Sequence, residues 1–232
     1  MRKLFASVFL FTLTLWAADF WTKPYTDWTD KEVQKIGNSS PWAKEFSVAL
    51  GGGGGAPGGG SGRRGGGGGG GGGQNNPGSA SADDVGGAGG GLTLYIRWQS
   101  ALPVKQAVAR AKYGAQAASS PDAKQFLETV EPLYVIVVDG LNRGMLGGGD
   151  ADAIKKTSLE QTALVIKGKE PIKPTDFRMV GQGRISAVFA FPKTNPIDVD
   201  DKEVEFQTRV GTLSIREKFR LKDMVLNGKL EL

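Results

Sequence analysis

Five carboxylates lie close together in the sequence, and their type and spacing make them the first candidates for chemistry. They are Asp198, Asp200, Asp201, Glu203 and Glu205. Carboxylate oxygens are the ligands that Ca²⁺ prefers, and two carboxyl groups held roughly 5 to 10 Å apart can hydrolyse a glycosidic bond. The spacing is not that of an EF-hand, however, and no recognisable active-site motif flanks these acids. We therefore expect no metal site, no catalytic pair and no cofactor here.

An aromatic cluster near the N-terminus is the second candidate site. Its ligand-contact candidates are Trp21, Tyr25, Trp28 and Trp42. Flat aromatic faces suit the stacking of carbohydrate rings, so the cluster could bind a sugar. The alternative, which we favour, is that these rings clamp the N-terminal segment onto the hydrophobic core.

The composition excludes several classes of enzyme. The chain contains no histidine and no cysteine, which removes Ser-His-Asp and Cys-His catalysis, histidine-ligated zinc and disulfides. Paired carboxylates, a Ser-Lys arrangement or no catalysis remain. The formal net charge of +5 is mild and the basic residues alternate with acidic ones, so we expect no nucleic-acid partner. A non-catalytic binding or structural protein is favoured, with a carboxylate-dependent glycan hydrolase as the alternative.

The elements that must position these residues are mostly strands. Apolar residues alternate with polar ones over 185–191, 204–210 and 213–221, which is typical of antiparallel strands buried on one face. Asn227 and Gly228 predict a final hairpin with a type I′ turn. The pattern predicts a mainly β fold, an antiparallel β-sandwich with two to four short helices, and a partly open barrel is the alternative.

The hairpin between two of these strands can be given a register. A two-residue turn at 210–211 sets Phe206 opposite Ile215 and Glu203 opposite Lys218, so that apolar and charged residues both find matching partners.

Capping residues in the sequence also predict where several helices begin. Thr29 and Glu32 form a capping box that predicts a helix beginning at Asp30 and ending at Gly37. Other helices are predicted over 103–113, after the N-cap Ser120 and after Asp150.

The first eighteen residues have the composition of a secretory signal peptide. Two basic residues precede an apolar run over 4–16, and Ala17 and Ala18 offer two cleavage points. We expect the protein to be exported to the periplasm or the extracellular space. Removal of residues 1–18 would leave 19–232 as a single β-rich domain without a transmembrane anchor.

A glycine-rich tract interrupts this domain. Residues 51–91 hold most of the 36 glycines of the chain and have no aromatic residue, so they cannot bury enough apolar surface to order themselves. Strand patterns over 46–50 and 92–98 flank the tract. We interpret it as a disordered insertion between two core strands, tolerated as a repeat, although contact with wall polymer or self-association is an alternative.

Several stretches outside the tract carry a resemblance to known proteins. They are 28–33 (W-T-D-K-E-V), 40–43 (S-P-W-A), 97–98, 100–104, 191–192, 201–206, 219–224 (F-R-L-K-D-M) and 228–232 (G-K-L-E-L). In these stretches the chain resembles a family of exported bacterial proteins of uncharacterised function. The resemblance implies export and a single domain only, and it implies no substrate, cofactor or catalytic residue. The partner that we expect, an envelope component or a protein, is a separate hypothesis that the resemblance does not supply.

Overall fold

The computed structural model describes residues 19–49 and 91–232. The predicted signal peptide and all of the predicted insertion except Gly91 lie outside the described residues. The chain divides into two units, Met1–Phe46 with Leu94–Leu232 and Ser47–Thr93. In the second unit, the described residues are the end of one strand and the start of the next. The cleft and side-chain clusters described below all belong to the first unit.

The described residues form four α-helices and ten strands. The helices are α1 (Asp30–Asn38), α2 (Leu102–Tyr113), α3 (Pro121–Glu128) and α4 (Ala151–Glu160). The strands are β1 (Ala43–Ala49), β2 (Gly91–Trp98), β3 (Leu133–Leu141), β4 (Ala163–Val165), β5 (Asp176–Val180), β6 (Ile185–Pro192), β7 (Glu203–Val210), β8 (Leu213–Arg220), β9 (Val225–Leu226) and β10 (Lys229–Leu230).

Two antiparallel sheets and a short hairpin make up the β structure. The five-stranded sheet has the order β1-β2-β3-β6-β5, the three-stranded sheet has the order β4-β7-β8, and β9 pairs with β10. β1 and β2 are neighbours, so residues 50–90 connect two adjacent strands, as the flanking patterns predicted. The mainly β, antiparallel fold class with two to four short helices is confirmed.

Aromatic side chains join the inner faces of the two sheets. Phe206 of the three-stranded sheet lies 5.6 Å from Phe189 and 6.4 Å from Phe191, measured between ring centroids. Trp98 and Phe219 make a similar edge-to-face contact at 5.5 Å. All five rings are fully buried, because residues at every second position of a strand point to the same face. The structure is therefore a β-sandwich, as predicted.

The hairpin between β7 and β8 is present, but its predicted register is wrong. The turn residues are Gly211 and Thr212, one position later than expected, so Phe206 lies opposite Glu217 and not Ile215. The first turn position has a φ of 59°, which glycine adopts easily and a β-branched valine resists. The whole pairing shifts by two residues, which leaves each side chain on its predicted face.

The predicted helix starts agree with the structure. The Thr29 side chain accepts a hydrogen bond from the Glu32 N–H, and the Glu32 carboxylate accepts one from the Thr29 N–H. The helix ends at Asn38, one residue beyond the predicted end. Ser120 and Asp150 cap α3 and α4 as expected.

Candidate functional site: a cleft beside the C-terminal hairpin

A cleft of about 310 Å³ opens between the start of α2, the segment after α3, the end of β6 and the hairpin β9-β10. We call it the C-terminal cleft. The side chains that define it are Lys105, Glu128, Glu131, Tyr134, Lys193 and Glu231.

Tyr134 forms the wall that the cleft shares with the sandwich core. It lies at the start of β3, where the inward-pointing positions of the strand reach the end of the sandwich, and its ring meets Trp98 edge to face at 5.9 Å. The phenol oxygen accepts a hydrogen bond from the Ile197 N–H at 2.9 Å. Burial raises the pKa of Tyr134, so the hydroxyl keeps its proton and can donate it.

Lys105 is a buried cation in the first turn of α2. Its side chain is 4% exposed, and its Nζ donates a 2.7 Å hydrogen bond to the Thr129 carbonyl. The same nitrogen lies 3.6 Å from a Glu131 carboxylate oxygen and 5.0 Å from the centre of the Phe126 ring. A buried charge needs such partners to offset the loss of water. Lys105 therefore ties α2 to the segment that follows α3.

Lys193 is placed differently, just after the end of β6. Its Nζ lies 4.9 Å above the centre of the Tyr134 ring, which is a favourable cation–π distance. Burial lowers the pKa of Lys193, because the charged form loses hydration. Among the described residues, no ion pair or hydrogen bond engages this ammonium group.

The charges around the cleft are balanced. Three lysines and three glutamates line it, with Lys229 added to the residues already named. Lys229 and Glu231 form an ion pair at 3.2 Å. At the rim, the apolar side chain of Val130 is 86% exposed. The arrangement can hold a small polar molecule through charged hydrogen bonds and present an apolar contact beside it.

The aromatic candidates from the sequence lie elsewhere. Trp28 is 1% exposed and Trp42 is 0% exposed, so these two rings offer no face to a ligand. Trp42 instead donates from Nε1 to the Glu231 carbonyl at 2.9 Å and meets Trp21 edge to face at 5.7 Å. These contacts fit the clamping role. Trp21 and Tyr25 are half-buried, and ligand contact stays a prediction for them.

The carboxylates of the acidic cluster mostly contact neighbouring side chains and backbone groups. Asp201 pairs with Lys169 at 2.7 Å, and Glu203 pairs with Lys218 at 2.8 Å. Asp198 caps the short helical turn that follows it. Within residues 19–49 and 91–232, no group of three or more acidic, histidine or cysteine side chains could hold a metal ion.

Sequence reasoning missed the residues of the C-terminal cleft. Lys105 could have been noticed in the sequence, because it directly follows Val104 in the predicted helix over 103–113 and is a charged residue among apolar ones. Lys193 and Tyr134 carried no comparable signal, since they are 59 positions apart in the sequence and only the fold brings them together.

Comparison of the chain with models of protein families, with curated proteins and with solved structures finds no match. The resemblance to exported bacterial proteins therefore stays a prediction. In the part of the chain that the structure describes, no helix combines the length and the apolar character needed to cross a membrane.

Proposed function

We propose that the protein is an exported, non-catalytic binding protein of the cell envelope that takes its ligand in the C-terminal cleft. Export is supported by the composition of residues 1–18. Binding is supported by a concave site of about 310 Å³, which falls at the small end of the range for small-molecule sites.

The observation that carries this proposal is the pairing of charges inside the cleft. Glu131 faces the Lys105 ammonium at 3.6 Å, and Glu231 faces the Lys229 ammonium at 3.2 Å. A glycan hydrolase needs one carboxyl group that donates a proton and a second that attacks or activates water. Glu131 and Glu231 are instead engaged with ammonium groups of the fold itself, which is the use of a structural carboxylate.

Co-sedimentation of the purified protein with bacterial envelope and wall fractions tests the proposal. The informative variant is Val130→Glu, which puts a charge at the cleft rim. Val180→Glu on β5 is the matched control, because Val180 is 55% exposed and does not line the cleft. We expect the unmodified protein and Val180→Glu to sediment with the fractions and Val130→Glu to stay in solution. Failure of the unmodified protein to sediment contradicts envelope binding, and equal sedimentation of both variants contradicts the cleft as its site.

A carboxylate-dependent glycan hydrolase is the second candidate function. One observation favours it, namely that Glu128, Glu131 and Glu231 line the same cleft. The test is hydrolysis of wall glycan by the unmodified protein and by Glu131→Gln and Glu231→Gln. Turnover that either variant abolishes, with its melting temperature unchanged, would support the hydrolase and overturn the non-catalytic proposal.

A further inference from the structure

We infer that the C-terminal cleft binds a zwitterionic, peptide-like ligand, with its carboxylate held by Lys193 and Tyr134 and its ammonium group held near Glu128. The inference rests on the proposed function, since it takes the cleft to be the ligand site. It adds the chemical class of the ligand and the residues that recognise it.

The balance of charges around the cleft favours a ligand that carries both signs. Three lysines and three glutamates line the cleft. A polyanion would meet three carboxylates, and a polycation would meet three ammonium groups, so each would face repulsion as well as attraction. A molecule with one carboxylate and one ammonium group can pair with both kinds of charge.

The ion pairs within the cleft show which of its charged side chains are already engaged and which can bind a ligand. Lys105 is engaged by the Thr129 carbonyl and Glu131, and Lys229 is engaged by Glu231. Lys193 and the exposed Glu128 are the cleft charges that no ion pair or hydrogen bond engages among the described residues. A ligand can therefore bind these two groups without breaking a contact of the fold.

Tyr134 adds a second donor beside Lys193. Its oxygen accepts from the Ile197 N–H at 2.9 Å, and its own proton has no acceptor among the described residues. The Lys193 Nζ lies 4.9 Å above the same ring. A carboxylate has two oxygens and accepts from ammonium and hydroxyl donors together. Tyr134 is 4% exposed and Lys193 is half-buried, and this burial strengthens such hydrogen bonds because competing water is reduced.

The size of the cleft limits the length of the ligand. A volume of about 310 Å³ is at the small end of the range for small-molecule sites. It has room for a few amino-acid residues and not for a folded partner.

Isothermal titration calorimetry with three matched tripeptides tests the inference. Trialanine carries both charges, trialanine amide lacks the carboxylate, and N-acetyl-trialanine lacks the ammonium group. Removing one partner of a charged hydrogen bond weakens binding by about tenfold or more. We expect a loss of about tenfold for the amide and a smaller, several-fold loss for the acetylated peptide, because Glu128 is exposed to water.

Three variants connect the expected losses to residues. Lys193→Met should weaken trialanine about tenfold and leave trialanine amide unchanged, because the carboxylate that Lys193 binds is absent from the amide. Lys193→Arg should restore most of the affinity for trialanine. Lys222→Met is the matched control, since Lys222 is exposed and lies outside the cleft, and it should bind all three peptides as the unmodified protein does.

The outcomes separate this inference from the proposed function. Equal affinity for trialanine and its amide, or no effect of Lys193→Met, overturns the zwitterion inference. Absence of any tripeptide binding also overturns it, while Val130-dependent sedimentation with envelope fractions would leave the proposed function standing. Tripeptide binding that depends on Lys193, without sedimentation, would instead support the cleft chemistry and contradict the envelope as its source of ligand.

Discussion

The space between the two sheets and the C-terminal cleft adjoin at Tyr134, and they differ in the kinds of side chain that line them. Tyr134 meets Trp98 of the core in an edge-to-face contact, and the Lys193 ammonium group lies over the Tyr134 ring. On the core side, large rings such as Phe189 and Phe206 are fully buried. On the cleft side, charged groups such as Glu128 and Lys193 lie at the boundary with water. Stability and recognition therefore depend on adjoining regions, and substitutions in the two should have different consequences.

The largest expected effect follows from Phe206→Ala at the centre of the inter-sheet contact. The ring lies 5.6 Å from Phe189 and is fully buried, so its removal leaves a cavity and lowers the free energy of unfolding by about 3–5 kcal/mol. Urea denaturation measures the loss. Phe126→Ala is the matched control, because Phe126 is only half-buried and lies beside the cleft. A loss of equal size in the control would contradict the distinction between the two regions.

A smaller loss of stability is expected for Gly211→Ala in the turn that joins β7 to β8. Gly211 has a φ of 59°, and an added Cβ would collide with the Met145 carbonyl. The strain should lower the free energy of unfolding by more than about 1 kcal/mol. Gly183→Ala is the control, since a Cβ there meets nothing within 4 Å and φ is not positive. If Gly211→Ala is as stable as Gly183→Ala, the positive φ at position 211 does not require glycine.

The sandwich could be predicted from the sequence because the alternation of apolar and polar residues is a local property of each strand. Alternation over residues 204–210 assigns each side chain to a face, and a shift of the pairing by two residues leaves that assignment unchanged. The predicted register therefore depended only on which two residues were assigned to the turn. Periodicity carries no information about that choice, and the glycine at position 211 decides it through its positive φ.

The cleft could not be predicted in the same way, because its residues come from separate segments. Lys105, Tyr134, Lys193 and Glu231 belong to α2, β3, the segment after β6 and the segment after β10. Only tertiary packing brings them together. The aromatic residues near the N-terminus were conspicuous in the sequence for a different reason, since two of the four candidates are core residues, and burial explains their presence without a ligand.

The Glu32 carboxylate, which lies outside the cleft, shows how a charged group contributes to stability without binding a ligand. The pKa of Glu32 is lowered from 4.5 to about 2, mainly by the hydrogen bond from Lys23 and next by the Thr29 N–H. A lowered pKa means that folding favours the ionised carboxylate, so this stabilisation is present above the unfolded pKa and is lost as the pH falls toward the folded one. The difference in free energy of unfolding between the unmodified protein and Glu32→Gln should be constant above pH 4.5 and shrink between pH 4.5 and about 2.

Urea denaturation over this pH range measures the effect. Asp30→Asn serves as a control in the same helical turn, because Asp30 makes no side-chain contact of this kind among the described residues. A pH-independent difference for Glu32→Gln would show that the carboxylate is not stabilised by folding.

The smallest effect is expected for Lys193→Met, which should change the free energy of unfolding by no more than about 0.5 kcal/mol. Lys193 makes a cation–π contact with the Tyr134 ring, and no ion pair or hydrogen bond engages its ammonium group among the described residues. Lys105→Met is the contrasting variant, since Lys105 is bound to the Thr129 carbonyl and Glu131, and its loss should cost about 1–3 kcal/mol. If Lys193→Met destabilises the protein as much as Lys105→Met, Lys193 is a structural residue. A smaller loss of stability for Lys193→Met than for Lys105→Met would mean that the fold does not need the Lys193 ammonium group for its own stability. Such a group is free to serve as a ligand-binding residue.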